Sequence, residues 1–163
     1  MFTLRCTRKL LARLDSTPVL DDAQPTTRLG DWYANLLFRP GGQVVLVVNE
    51  RSLLPVVVLA SPASTLVTRF LETTVDVLLR LGVPAAAVEA ERREMEEVRI
   101  ARTVSRQVLG SMNDFANLMD AFRENPLSLS DVAVKLAATP CSPIGMKHPT
   151  DVVLETMAGG ALL

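Results

Sequence analysis

Three polar clusters interrupt an otherwise aliphatic chain, and each gathers residue types that bind charged groups or move protons. The first spans residues 26–35 and contains Arg28, Asp31, Tyr33 and Asn35. Strand alternation would set Asp31, Tyr33 and Asn35 on one face, with Trp32 and Ala34 on the other. That row reads either as an edge-facing polar strip or as the wall of a shallow site. The second cluster, Asn49, Glu50, Arg51 and Ser52, presents an arginine and a carboxylate at a sheet end. It also fits a plain hairpin turn, because Asn tolerates positive φ. The third runs from Arg102 through Arg106 to Ser111, Asn113 and Asp114. A helix N-terminus beside Arg102 and Arg106 is a ready anion site. Ser111 with Asp114 equally forms a capping-box start, in which the carboxylate takes part of the anion's place. Asp31, Glu50 and Asp114 are thus the candidate catalytic carboxylates. Arg28, Asn35, Arg51, Arg102, Arg106 and Asn113 are the candidate ligand-binding residues.

Other chemistries find no support in the residue pattern. His148 is the one histidine, set in a Pro-rich loop, which excludes histidine-pair ribonuclease chemistry and most histidine-rich metal sites. Gly41-Gly42 and Gly159-Gly160 lack the spacing and the following Lys-Ser/Thr of a phosphate-binding loop. No zinc-ligand spacing and no Gly-x-Ser-x-Gly elbow occur. Cys6 and Cys141 form no CxxC pair and read as reduced, partly buried thiols. No metal and no cofactor is expected.

Composition narrows the classes further. A chain of 163 residues forms one domain and buries enough surface to fold without staples. Apolar residues make up 48 % and aromatic residues 4 %, so the core is built from Leu and Val. The net charge of −1 predicts no general attraction to nucleic acid or to an anionic membrane. The first residues lack the apolar stretch of a signal peptide, and no run reaches the roughly 18 apolar residues of a membrane span. A cytoplasmic location is expected.

The elements that must position these clusters follow from periodicity. Residues 2–7 read as a strand and 8–14 as a helix with Leu10, Leu11 and Leu14 on one face. A loop follows over 15–27. Residues 32–38, 43–48 and 53–60 read as an antiparallel meander turning at Pro40-Gly41-Gly42 and at the polar island 49–52. Runs this apolar must be covered on both faces, so the island should be the wet tip of a buried hairpin. Pro55 places the third of these strands at an edge or gives it a bulge. Ser61 caps a helix with Pro62 at its first position, running to Leu81 and stopped by Gly82. A second helix covers 85–95, its Glu89 and Arg93 forming an i,i+4 pair. Residues 97–102 read as a strand. Val108, Met112, Phe115, Met119 and Phe122 form a helical stripe, with Gly110 suggesting a start at Ser111 and Asn125-Pro126 an end. A short helix spans 130–138, capped by Ser128 or by Ser130. Thr150 caps a last helix to Ala158, and Gly159-Gly160 releases the tail. The sum is a single α+β domain over residues 1–163. It has an antiparallel sheet of about four to five strands and about five helices.

Five blocks carry a resemblance. They are residues 2–11, the run 26–37 around Gly30-Asp31-Trp32-Tyr33, residues 49–56, Val108-Leu109-Gly110-Ser111-Met112-Asn113-Asp114-Phe115, and Thr139-Pro140-Cys141-Ser142-Pro143-Ile144-Gly145. On these the chain resembles a small bacterial family classed only as a domain of unknown function. The resemblance implies a free-standing bacterial domain and brings no activity, cofactor or catalytic residue. From the residues themselves, the leading expectation is a small binding or regulatory module holding a protein partner or an anionic ligand at a polar rim. A nucleic-acid-acting enzyme of the toxin-ribonuclease kind is the alternative, using Arg on phosphate and a carboxylate as base, although net charge disfavours it. A third reading is an oligomer or assembly subunit that exposes the Met112–Phe122 stripe.

Overall fold

The computed structural model describes residues 1–122 and 128–159. Its centre is one five-stranded sheet in the order β4-β3-β2-β1-β5. The strands are β1 (Phe2–Cys6), β2 (Trp32–Arg39), β3 (Gly42–Asn49), β4 (Pro55–Leu59) and β5 (Val98–Arg102). The meander β2-β3-β4 is antiparallel as expected, with Arg39 opposite Gly42 and Val48 opposite Pro55. The expectation of a purely antiparallel sheet is corrected, because β1 runs parallel to both of its neighbours, β2 and β5. The reason is connectivity: α1 (Arg8–Leu14) and a long loop return the chain after β1, which permits a parallel crossover. The sheet is therefore mixed.

Six α-helices occur among the described residues rather than about five. Besides α1 they are α2 (Leu66–Arg80), α3 (Ala85–Glu94), α4 (Arg106–Asp120), α5 (Leu129–Leu136) and α6 (Pro149–Ala158). They form a layer on each side of the sheet. On the first face, Phe2, Leu4, Trp32, Ala34, Val45, Val47, Val56 and Val58 meet Leu10 of α1, Phe70 and Leu78 of α2, Val88 of α3, and Val153 and Met157 of α6. The Trp32 ring stands edge-on to Phe70 at 5.2 Å. On the second face, Tyr33, Val44, Leu46, Val48 and Val57 meet Val108, Met112 and Phe115 of α4 and Val132 and Leu136 of α5. Burial on both faces is why 43–48 lacks alternation, since each such side chain contributes about 1.5–3 kcal/mol whichever way it points. The Met/Phe stripe of α4 lies in this second core. Met112 and Phe115 are buried, and Met119 and Phe122 pack against them.

Local starts and stops differ from expectation in instructive ways. Ser61 does not cap α2, because its hydroxyl is engaged by the Arg13 guanidinium. Pro62 stays extended, and a short 3-10 turn, Ala63–Thr65, precedes the helix. Gly82 does stop α2, at φ +96, where the Val83 N–H reaches the Leu78 carbonyl. α4 begins at Arg106 rather than Ser111. Ser105 is its N-cap, accepting from the Val108 N–H at 3.3 Å, and Gly110 lies inside the helix. Ser128, not Ser130, caps α5. Thr150 caps nothing; its hydroxyl donates to the Ala137 carbonyl. Residues 139–145 contain a 3-10 turn, Ser142–Ile144. The stop expected at Asn125-Pro126 and the tail release at Gly160 lie outside the described residues.

Both sheet edges are closed by side chains or loops. β4, carrying Pro55, is an edge strand, and the Arg69 guanidinium binds the Leu59 carbonyl. Along β5 the Val19 N–H donates to the Ile100 carbonyl at 2.8 Å.

Candidate functional site

The first two polar clusters meet, and what they build is a corner of the fold. Asn49 is fully buried. Its amide nitrogen donates to the carbonyls of Leu29 and Asp31, while its side-chain oxygen accepts from the Arg51 and Ser52 N–H groups and from the Ser52 hydroxyl. The island expected to be wet is thus half interior, with Asn49 and Ser52 buried and Glu50 and Arg51 outside. Asp31 is buried as well, its carboxylate accepting the Thr3 N–H at 2.8 Å. Arg51 lies across Gly30, whose missing Cβ would fall 2.8 Å from its Nε, and it donates to the Arg28 carbonyl. Arg28 donates to the Met157 carbonyl. Asn35 accepts from the Thr7 hydroxyl at 2.8 Å. Burial, and after it the neighbouring Asp31 charge, push the Glu50 carboxyl above the usual carboxylate range, against Arg5 and Arg51.

Sequence reasoning missed Glu91, the group that holds this corner to the helical layer. Its carboxylate, buried in α3, accepts the N–H groups of Arg28 and Leu29 at 2.8 and 2.9 Å. Burial raises its pKa, and the two N–H bonds counter only part of that effect. The helical spacing Val88–Glu91–Met95 could have marked it as inward-facing.

Tyr33 is buried rather than lining an open wall, and its hydroxyl accepts the Ser105 N–H at 3.1 Å. The third cluster therefore touches the first only at its leading end. Asn113 and Asp114, two turns into α4, are exposed and stand apart.

The topology itself points to a different place. β1 and β5 are parallel neighbours, yet the helices that follow them leave on opposite faces: α1 enters the first core and α4 the second. Adjacent parallel strands whose connections diverge leave a crevice beyond their carboxyl ends, where open sheets characteristically bind ligands. A cavity of about 680 Å³ lies at this point. Its walls are Cys6 and Arg8, Leu11 and Ala12 of α1, the segment from Asp15 to Pro18, and Arg102 with Thr103.

Its electrostatics are set by arginines that no described residue holds. Arg8 and Arg102 make no side-chain hydrogen bond or ion pair among the described residues, and neither does Arg106, four residues beyond the end of β5. The guanidinium of every other described arginine has a partner, either a backbone carbonyl, as for Arg28 and Arg51, or a side chain, such as Asp22 for Arg5, Asp21 for Arg99 and Asp131 for Arg80. One carboxylate, Asp15, also faces the cavity, at the left-handed end of α1 with φ 50°. Cys6 supplies no nucleophile, because burial pushes its thiol up to about 12. Of the candidates from sequence, Arg102 lines the crevice and Arg106 stands at the same end of the sheet. Asp31, Asn35, Arg28 and Arg51 instead hold the fold together, and Asp114 belongs to another cavity. Arg8 was not recognised, because nothing in 8–14 except its position after a strand distinguishes it. No group of His, Cys, Asp or Glu side chains able to hold a metal ion occurs among the described residues. No described helix is long and apolar enough to cross a membrane.

Comparison with known proteins yields a family and nothing further: neither a curated protein nor a solved structure matches the chain. With a match over residues 3–152, the chain belongs to the family described as Domain of unknown function (DUF6933).

Proposed function

We propose that this domain is a binding module for a small anionic ligand, taken up in the crevice beyond the carboxyl ends of β1 and β5. The observation that carries the reading is the placement of Arg8 and Arg102 in one cavity with no side-chain partner among the described residues. Leaving a guanidinium without a partner, in a chain that pairs all its other described arginines except Arg106, keeps five N–H donors available in a fork that matches phosphate or carboxylate. The volume of about 680 Å³ suits a molecule of nucleotide size. Asp15 and the hydroxyls of Ser16, Thr17 and Thr103 add acceptors and donors for the uncharged part, with Leu11, Ala12 and Pro18 as the apolar wall. A phosphorylated polyol or nucleotide combines these features.

Isothermal titration with inorganic pyrophosphate, ribose 5-phosphate and AMP tests the reading. Saturable binding is expected, weakened at least about tenfold by Arg8→Ala or Arg102→Ala, in line with the loss of one charge-assisted hydrogen bond. Affinity should also fall as salt is raised. Absence of binding by all three compounds at 10-millimolar order, or variants that both bind as tightly as wild type, would overturn it.

A further inference from the structure

A second cavity, of about 390 Å³, lies on the other helical layer between α4 and the loop from Thr139 to Met146. Two of the blocks that carry the family resemblance, 108–115 and 139–145, face each other across it. On α4 the lining residues Gln107, Gly110, Ser111, Asp114 and Leu118 fall at helical spacing and form one stripe. Opposite them, Gly145 and Met146 adopt consecutive left-handed conformations, at φ 69° and 62°, and the Met146 side chain is left 61 % exposed at the rim.

Three observations give this cavity a chemical preference. Ser111 is 7 % exposed, and its hydroxyl has no hydrogen-bond partner among the described residues although it borders the cavity. The hydroxyl oxygen itself is not sealed off, so it is available to a ligand in the cavity. Asp114 is the one charged residue of the lining, and it makes no hydrogen bond or ion pair among the described residues. Gly110 sits mid-helix, where alanine would favour the helix, and a Cβ there would meet nothing within 4 Å. The remaining surface is mostly apolar, from Phe115, Leu118, Pro140, Pro143 and Met146. Cys141 offers no competing charge. Burial, reinforced by Asp114, holds its thiol protonated, and it donates to the Thr139 carbonyl at 3.3 Å.

We infer that this cavity is a binding site for an organic ammonium group. The ammonium would donate to the Asp114 carboxylate and the Ser111 hydroxyl, while its carbon chain lies along Phe115 and Leu118. The site is independent of the anion crevice and opposite to it in charge preference. A free alkylamine and a lysine side chain of a peptide share this chemistry.

The test is an amide-resolved NMR titration of the full chain with n-hexylamine, 1-hexanol and Nα-acetyl-lysine N-methylamide. Hexylamine should bind with a dissociation constant on the order of 1 mM and shift amides confined to 107–118 and 139–146. Hexanol should bind at least about fivefold more weakly. Asp114→Asn should erase that difference, since the neutral amide keeps the shape and loses the charge. Tighter binding of the lysine derivative than of hexylamine would identify a peptide as the source, and the reverse a free amine. Gly110→Ala guards against misfolding as an explanation. It should raise the melting temperature by roughly 2–4 °C and weaken hexylamine binding by placing a methyl group in the cavity. Equal binding of hexanol and hexylamine, an Asp114→Asn variant that still prefers the amine, or shifts outside those two segments would overturn the inference.

Discussion

The two halves of the sheet treat their polar groups in opposite ways. In the antiparallel half, β2-β3-β4, the buried side chains of the polar corner are committed: Asn49 satisfies two carbonyls and accepts from three donors, and Asp31 holds the Thr3 N–H. In the parallel half, the carboxyl ends of β1 and β5 lead into arginines whose side chains have no partner among the described residues. A buried hydrogen-bonding group without a partner is expensive, so the corner must be complete for the domain to fold. Exposed guanidiniums remain hydrated and cost little, so a fold can leave them available for a ligand. Conspicuous polar residues inside apolar sequence thus belong to the structure here, and inconspicuous ones at strand ends belong to the candidate site.

Changes to each half should separate these roles, beginning with the largest effect. Cys6 lines the crevice, and burial pushes its thiol up to about 12. Its alkylation in the native state should be on the order of a thousandfold slower than in the urea-unfolded chain, read by mass spectrometry after iodoacetamide. Native labelling at an ordinary rate would mean that the crevice end is open or the thiol activated. Asn49→Ala strands buried donors and acceptors and should cost about 3 kcal/mol, lowering the melting temperature by roughly 6–12 °C; a loss below about 1 kcal/mol would show the corner to be dispensable. Glu91 provides a smaller, pH-dependent effect. Its carboxyl is raised in the folded state, so the native state holds that proton more tightly than the unfolded chain. The group's favourable contribution is full below the ordinary glutamate range and declines as pH rises through the raised value. Urea unfolding of wild type against Glu91→Gln should therefore show the wild-type margin shrinking from pH 4 towards neutrality; a margin that grows would reverse the assignment. Smallest of all, Arg8→Ala and Arg102→Ala should each change stability by less than about 0.5 kcal/mol.

The same contrast explains what the sequence could reveal. The meander, the Gly82 stop, the edge position of Pro55 and both coverings of β3 were legible because each is written in local signals: turn residues, periodicity and proline's missing donor. The pairing of Phe2 with Val98 and of Cys6 with Arg102 was not, since nothing local in a five-residue strand identifies a partner more than ninety positions away. The mixed sheet, the diverging exits of α1 and α4 and the crevice between them all depend on that pairing. Ser105 was passed over as a cap because Gly110 resembled a helix break, although an interior glycine lowers helix propensity without ending a helix. The helix start near Arg102 and Arg106 lies about one and a half turns earlier than Gly110 suggests, at Arg106 itself. Asp31, Asn35 and Arg51 looked available only because their partners, Thr3, Thr7 and Arg28, lie on separate segments.

An amide-resolved titration with pyrophosphate would test the anion crevice most directly. The expected result is saturable shifts at Thr7 and Arg8, at Ser16 and Thr17, and at Arg102 and Thr103, abolished in the Arg8→Ala/Arg102→Ala double variant, whose unfolding midpoint stays within about 2 °C of wild type. Shifts centred on Arg28, Glu50 and Arg51 instead, or a double variant that binds as wild type does, would contradict it.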